Sequence, residues 1–445
     1  METTQSDTGS KLESEFEHSP VPPEHRKSLM TVAAVWFGFP MILTNAVPGG
    51  IVVAMLGFKE GFAAILLANL IMFVFVGLLS YRAGQTGKNF ALQTTETFGS
   101  VGYIVASGFL STVVVGWFAF NTGATGSALH NSFGWNEALV AAIAGIIFIA
   151  ATFLGIKALS WTGALAAPLF IIAVIIAVAI AAGHHDFGGV TGYAGIAGGT
   201  MTFGAAVTAI MATFLDSGTM AADFTRWSKN GKQGVIATAS AFPIASLIAQ
   251  LSGGFLVAAG AIADPGTAGG DFTPILTGPG NIVLDIFVVI FVVVNLGSVC
   301  THCLYNGALS WSHIVRSKMR LLTLILGAIG LAAAIAGVWS FYVNWLALLG
   351  VIVPPLGAVL IADQVILRRR LVGRVERRVR PTAFIGWGVG AVVGLVVHET
   401  LPSLSDAIVG MVVGLVVYLA IELARRPAHV GTRADAEEAH AAVGI

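Results

Sequence analysis

The chain has 445 residues, of which 10% are charged and 56% apolar, and its 23 basic and 23 acidic residues cancel. Soluble domains carry about 25% charged residues, so this composition excludes an ordinary soluble protein and indicates an integral membrane protein. Apolar runs of about 20 residues recur along the chain, the length of a membrane helix and twice that of a barrel strand. The only cysteines, Cys300 and Cys303, share one apolar segment, which excludes a disulfide framework.

Residues 1–28 are polar and lack the apolar core of a cleaved signal peptide, so they read as a disordered tail and the first span as an uncleaved insertion signal. A transporter domain of residues 29–424 follows. Twelve helical spans are predicted within it: 29–55, 61–81, 101–129, 138–154, 159–183, 201–222, 234–263, 282–315, 321–338, 339–366, 382–397 and 404–424. Residues 425–445 read as a second disordered tail.

Positive residues concentrate in cytoplasmic loops, which gives the orientation. Arg26 and Lys27 precede the first span, Arg82 and Lys88 follow the second, and Lys157 follows the fourth. Arg226, Lys229 and Lys232 follow the sixth, Arg316, Lys318 and Arg320 the eighth, residues 368–380 the tenth, and Arg425 and Arg426 the twelfth. Lys59 alone stands on the other side. Both termini are therefore placed in the cytoplasm, with the chain in the inner membrane.

Two spans carry breaks. In the first, Gly38-Phe39-Pro40 is followed by Thr44, Asn45 and Pro48, and Pro40 both removes a donor and clashes with the preceding turn. In the sixth, the polar stretch Thr213 to Thr219 contains Asp216 and Gly218. A carboxylate at mid-membrane costs about 2.5 to 3.5 kcal/mol on insertion scales, so it faces a cavity or a partner. Broken helices five spans apart cross in opposite directions, as in an inverted repeat of residues 29–183 and 200–366, with helices 382–424 added. Such repeats place substrate and coupling ion near the midplane between the breaks, the design of secondary transporters. The nearest approach to a phosphate loop, Gly84 to Asn89, has the wrong glycine spacing and lacks the hydroxyl after Lys88, so nucleotide-driven transport is not indicated.

Several residues admit bland readings. Cys300-Thr301-His302-Cys303 lacks the histidine after the second cysteine that haem attachment needs and a fourth zinc ligand. His302 is either a satisfied interior histidine or a coupling group. Asp223 reads as the partner of Arg226. Gly123, Gly126 and Gly307 read as close helix contacts, and His184-His185-Asp186 as a solvated loop. Asp216 is read as either a substrate acceptor, a proton carrier or a structural carboxylate.

Trp117 in Val115-Gly116-Trp117-Phe118, the stretch Ser217-Gly218-Thr219 through Ala222-Asp223-Phe224 to Arg226, and Trp345 through Pro354-Pro355 to Ala362-Asp363 closely resemble nucleobase cation symporter family 1. This family includes bacterial cytosine permeases and carriers of purines, hydantoin and allantoin. The resemblance runs from about residue 26 to 426. It implies the all-α five-plus-five inverted repeat with two added helices. It also implies cation-coupled uptake of a planar heterocycle such as cytosine or a purine, with hydantoin, allantoin or a thiamine-precursor pyrimidine as alternatives.

The resemblance stacks the ring between Trp117 and Phe214, with Ile42, Thr213, Asp216, Ser217 and Cys300 completing the lining. It places sodium on the carbonyls of Gly38 and Met41 with oxygens of Asn295 and Ser298. The sequence departs from the cytosine permeases at Val114, where they carry glutamine, at Asp216, where they carry serine, and in Ser298-Val299-Cys300-Thr301-His302, where a sodium-binding hydroxyl and a base-reading amide are missing. Sodium and proton both remain open as coupling ion, with Asp216 and His302 as coupling groups. No other cofactor, no nucleic acid and no enzyme activity is implied, and a monomer in the bilayer is expected. A channel lacks its polar stripe here, and a membrane enzyme its nucleophile and base.

Overall fold

A computed structural model describes residues 13–278, 280–368 and 377–425; residues 1–12, most of the basic stretch 368–380 and the tail beyond 425 lie outside the described residues. Its regular secondary structure is all helical among the described residues, apart from one isolated bridge between Lys27 and Ser228. Eight of the described helices are long and apolar enough to cross a membrane, and one bent pair makes a ninth.

That pair is α1 (Leu29–Gly38) and α2 (Leu43–Leu56), which meet at 54°. Ser28 caps α1 by accepting from Thr31 N at 3.3 Å, and the missing N–H of Pro40 stops it. The break exposes backbone groups that side chains fill: Asn45 Nδ2 donates to Pro40 O at 2.7 Å, Gln250 Nε2 to Asn45 Oδ1 at 2.9 Å, and Asn69 Nδ2 to Gln250 Oε1 at 2.6 Å. Gly38 lies directly against Gly163, where an added Cβ would meet Gly163 Cα at 2.3 Å. This backbone contact seats α1 on the fifth span.

The long helices α3 (Phe58–Thr86), α5 (Tyr103–Phe133) and α7 (Ile156–Ala182) are joined by a short α4 (Phe90–Phe98) and by α6 (Glu137–Phe153). The sixth span comes in three pieces, α8 (Phe203–Ala212), α9 (Leu215–Thr219) and α10 (Ala222–Thr225). The seventh is α11 (Gly231–Ala239) continuing through Pro243 into α12 (Ser246–Ala258). Two short helices, α13 (Pro265–Ala268) and α14 (Thr273–Thr277), precede the 33-residue α15 (Ile282–Ile314). The rest are α16 (Met319–Ile335), α17 (Tyr342–Ile361), α18 (Pro381–Thr400) and α19 (Asp406–Ala424).

The helices differ from the expected spans in small ways. The ninth span ends at Ile335, because Gly337 takes a φ of 81° and a single turn at Val338–Phe341 separates it from α17. Glycine contacts occur where expected, Gly307 against Val115 and Ser111 and Gly123 against Trp339. The α18–α19 pair packs on Pro355 of α17. Large apolar side chains such as Val74, Ile146, Ile175, Val392 and Val416 are left exposed on the perimeter, a surface suited to lipid.

One expectation is overturned. Residues 13–28 are not a loose tail: Glu15 is 2% and Val21 1% exposed, and the segment is bonded beneath the basic end of the bundle. Part of its polar composition serves partners distant in sequence, Glu15 and Arg26 among them.

Candidate functional site

The two interrupted spans meet at the centre of the bundle. Phe39, in the break of the first, sits edge-on to Phe214, which opens α9 in the sixth, with ring centroids 5.1 Å apart. A narrow cavity opens beside them. The breaks contribute Phe39, Ile42, Thr44, Asn45, Thr213, Phe214 and Ser217; α5 contributes Trp117 and Asn121; α15 contributes Val299 and Cys303; and α17 contributes Tyr342.

Its chemistry is that of a slot for a flat polar ring. Trp117 stands edge-on to Tyr342 at 5.8 Å, so an aromatic face borders the space, while its buried indole N–H faces the Asp216 carboxylate. Asn121 is oriented by its neighbours: Thr44 donates to Oδ1 at 2.7 Å, and Nδ2 donates to Trp117 O at 2.9 Å. That leaves the second amide hydrogen as a donor for a ligand.

Of the residues expected from sequence, Ile42, Trp117, Thr213, Phe214 and Ser217 lie together on this cavity. Cys300 does not. It turns toward α5, with Sγ 3.5 Å from Thr122 Oγ1 and 3.8 Å from Phe118 O, and Cys303 takes the lining position. The helix period is the reason, since 299 and 303 share a face that 300 leaves by about 100°. Asp216 also stands behind the lining. It is fully buried, Oδ1 accepts from Ser217 N at 2.6 Å, and the carboxylate faces the indole N–H of Trp117. Val114 is buried away from the cavity, whereas Asn121, one turn beyond Trp117, was missed although its i+4 spacing could have found it.

The four expected sodium ligands do converge. Ser298 Oγ donates to Gly38 O at 3.4 Å, and Asn295 Nδ2 donates to Met41 O at 2.9 Å while its Oδ1 accepts from Leu43 N at 2.8 Å. A hard cation needs oxygens turned toward it, but Asn295 turns an N–H to Met41 O, and the Val299 side chain supplies no oxygen. The set closes on itself and does not fit a complete sodium shell. His302 bridges the same two spans, with Nδ1 2.5 Å from Ser298 O and Nε2 3.0 Å from Val35 O.

Asp223 does not pair with the Arg226 side chain. Its Oδ1 accepts from Phe90 N at 2.8 Å, and Arg226 reaches only its main-chain oxygen, at 3.3 Å, before turning to Glu15, Phe16 and Tyr305. Among the described residues no group of three or more His, Cys, Asp or Glu side chains could hold a metal. His184, His185 and Asp186 are exposed.

A helical membrane bundle with two broken spans around a small central cavity defines a multi-pass transporter. The chain belongs to the family of permeases for cytosine/purines, uracil, thiamine and allantoin, which it matches over residues 20–400. It is a permease and not an enzyme. It is 26% identical to the cytosine permease of Escherichia coli strain K12 over 396 residues, spanning 87% of this chain and 90% of that one. Its fold is similar to that of Mhp1, a nucleobase-cation-symport-1 family transporter solved in a closed conformation with bromovinylhydantoin bound. The TM-score is 0.75 and the identity 20%, over 92% of this chain and 94% of that one. A Na⁺-coupled sialic acid symporter in a substrate-bound outward-open state is similar at a TM-score of 0.69 and 13% identity, covering 94% and 93% of the two chains.

Proposed function

We propose that the protein takes up a nucleobase-like planar heterocycle, such as cytosine or a purine, by symport with a cation. The observation that carries this is the slot between Trp117 and Phe214, edged by the spare amide hydrogen of Asn121. Aromatic faces on both sides suit a flat ring, and a fixed donor suits a ring nitrogen or carbonyl. The cytosine permease and the hydantoin-bound transporter among the similar proteins support the class; hydantoin, allantoin and a thiamine-precursor pyrimidine remain the alternative cargo.

We place the two expected repeats at 29–183 and 200–366, with helices 382–424 added, and count twelve crossings. The bent α1–α2 pair, the broken sixth span and the shorter α6 and α16 complete the long helices. The basic end is cytoplasmic by the positive-inside rule, the chain lies in the inner membrane with both termini inside, and it works as a monomer. Single cysteines at Ser132 and Thr267, in a background lacking Cys300 and Cys303, react with an impermeant thiol reagent from outside; labelling only after permeabilisation overturns this orientation.

For the coupling ion we favour the proton. The Gly38, Met41, Asn295 and Ser298 groups bond one another, whereas Asp216 is a fully buried carboxylate next to the cavity, faced by uncharged donors of Ser217 and Trp117. A buried carboxylate without a cationic partner is costly until it binds a proton or a ligand. Uptake of labelled cytosine, hypoxanthine and hydantoin into proteoliposomes under separately imposed proton and sodium gradients tests both parts. Accumulation driven only by sodium removes the proton reading, and equilibration without accumulation removes symport.

A further inference from the structure

We propose that residues 13–27 form a cytoplasmic gate, which must leave its seat before substrate passes from the central cavity to the cell interior. The proposal rests on the reading of the chain as a carrier with its basic end inside.

The segment is bound to both sides of the path it closes. Glu15 Oε2 accepts from Tyr305 Oη of α15 at 2.7 Å, and Oε1 accepts from Ile156 N at the start of α7 at 3.1 Å. The carbonyls of Glu15 and Phe16 accept from the Arg226 guanidinium at 2.6 and 3.0 Å, which ties them to the end of the sixth span. Phe16, held at a φ of 47°, turns its ring against Trp227 and His25 at 6.0 and 5.0 Å. Glu17 accepts from Met319 N at 3.0 Å through its side chain and from Asn89 Nδ2 at 2.8 Å through its carbonyl. Glu13 pairs with Lys27, and Arg320 donates to Glu13 O at 2.8 Å.

The sixth span is the helix that carries Phe214 and Ser217, so this segment fastens a cavity-forming element to α7, α15 and α16. A contact that spans elements expected to move relative to each other stabilises one of their arrangements.

A second observation comes from what lies above the segment. Val299 and Cys303 line the cavity, and Asn306 and Ser310 continue the same face of α15 toward the basic end, at i+7 and i+11 from Val299. Asn306 and Ser310 are fully buried, yet neither amide atom of Asn306 nor Ser310 Oγ has a partner. Ser107 Oγ on the neighbouring α5 is equally buried and unpartnered. Polar side chains in this state are rare in native interiors and call for a partner, which water or a passing ligand would supply once the segment left its seat. Tyr305, the residue that Glu15 grips, immediately precedes Asn306. The row of polar groups thus runs from the cavity to the seat of the gate.

The test uses full-length protein with Ser310→Cys as reporter, in a background lacking Cys300 and Cys303, labelled with an impermeant thiol reagent from each side of oriented vesicles. Glu15→Ala and Tyr305→Phe each accelerate labelling from the cytoplasmic side at least about tenfold, the shift in a gating equilibrium expected for one charged hydrogen bond, and leave outside labelling unchanged. Unchanged cytoplasmic labelling in both variants, or acceleration from both sides, overturns the gate. Cytosine-induced thermal stabilisation of the same samples reports folding and binding separately. If it is lost while labelling accelerates, the substrate reading fails and the gate stands; if it persists with no acceleration, the reverse holds.

Discussion

Thr44 and Asn121 are joined by a hydrogen bond of 2.7 Å between the first interrupted span and α5, on the wall of the central cavity. Because Thr44 donates, the Asn121 amide must present its oxygen to Thr44 and its nitrogen to Trp117 O and the cavity. Asn121→Ala removes this donor. Heterocycle affinity should fall by about 1 kcal/mol, five- to tenfold, as for one hydrogen bond lost on both sides of a site. Thr44→Val should have a smaller effect of the same sign, measured by titration of purified protein with cytosine and with a purine.

Trp117 borders the slot with its ring. Trp117→Ala should weaken every heterocycle by more than about 1 kcal/mol, and Trp117→Phe should restore part of the loss, since stacking survives without the N–H. Unchanged binding by the Ala variant would remove this residue from the site.

Asp216 separates binding from coupling, because it stands behind the lining and not in it. Asp216→Asn keeps the shape and removes the titration. Substrate exchange should persist, and accumulation driven by a pH gradient should vanish. Accumulation at wild-type stoichiometry by the Asn variant would assign coupling elsewhere.

Glu15 gives the gate a pH dependence with a definite sign. Burial lifts its carboxyl above the ordinary value of 4.5, against the opposing pull of the Tyr305 hydroxyl, Arg226, the Ile156 amide and Arg320. The docked segment therefore holds a proton more tightly than the free one. Docking is most favourable below pH 4.5 and weakens as pH rises through the raised value. Cytoplasmic labelling of the Ser310→Cys reporter, corrected with a fully exposed cysteine, should rise over that interval and become flat in Glu15→Gln. A fall with increasing pH would contradict it.

What could be read from the sequence follows from the range of the interactions. The two breaks were legible because their causes are local: Pro40 lacks a donor, and Thr213 to Thr219 interrupts an apolar run. Trp117 and Phe214 were placed by motif. The exchange of Cys300 for Cys303 was not legible, because it depends on the rotation of α15 against α5. The ordering of residues 13–28 was hidden for the same kind of reason. Glu15, read locally, is a charge in a polar tail, and its partners Ile156, Arg226 and Tyr305 come from distant parts of the chain. The short α4, held partly by Asp223 at its first amide, was missed because its sequence carries no span-length apolar run.

The grip of α15 on the first break makes the two interruptions mechanically unequal. Asn295 holds Met41 O and Leu43 N on the far side of the break, Ser298 reaches Gly38 O, and His302 reaches Val35 O on the near side. Pro40 therefore marks a rivet, with both halves of the helix fixed to one beam. In the sixth span the bonds of Thr213, Asp216 and Thr219 close within their own segment, on Ile210 O, Ser217 N and Leu215 O. The first span is thus clamped to α15 on both sides of its break, at Val35, Gly38, Met41 and Leu43, whereas these three side chains of the sixth span brace only their own segment.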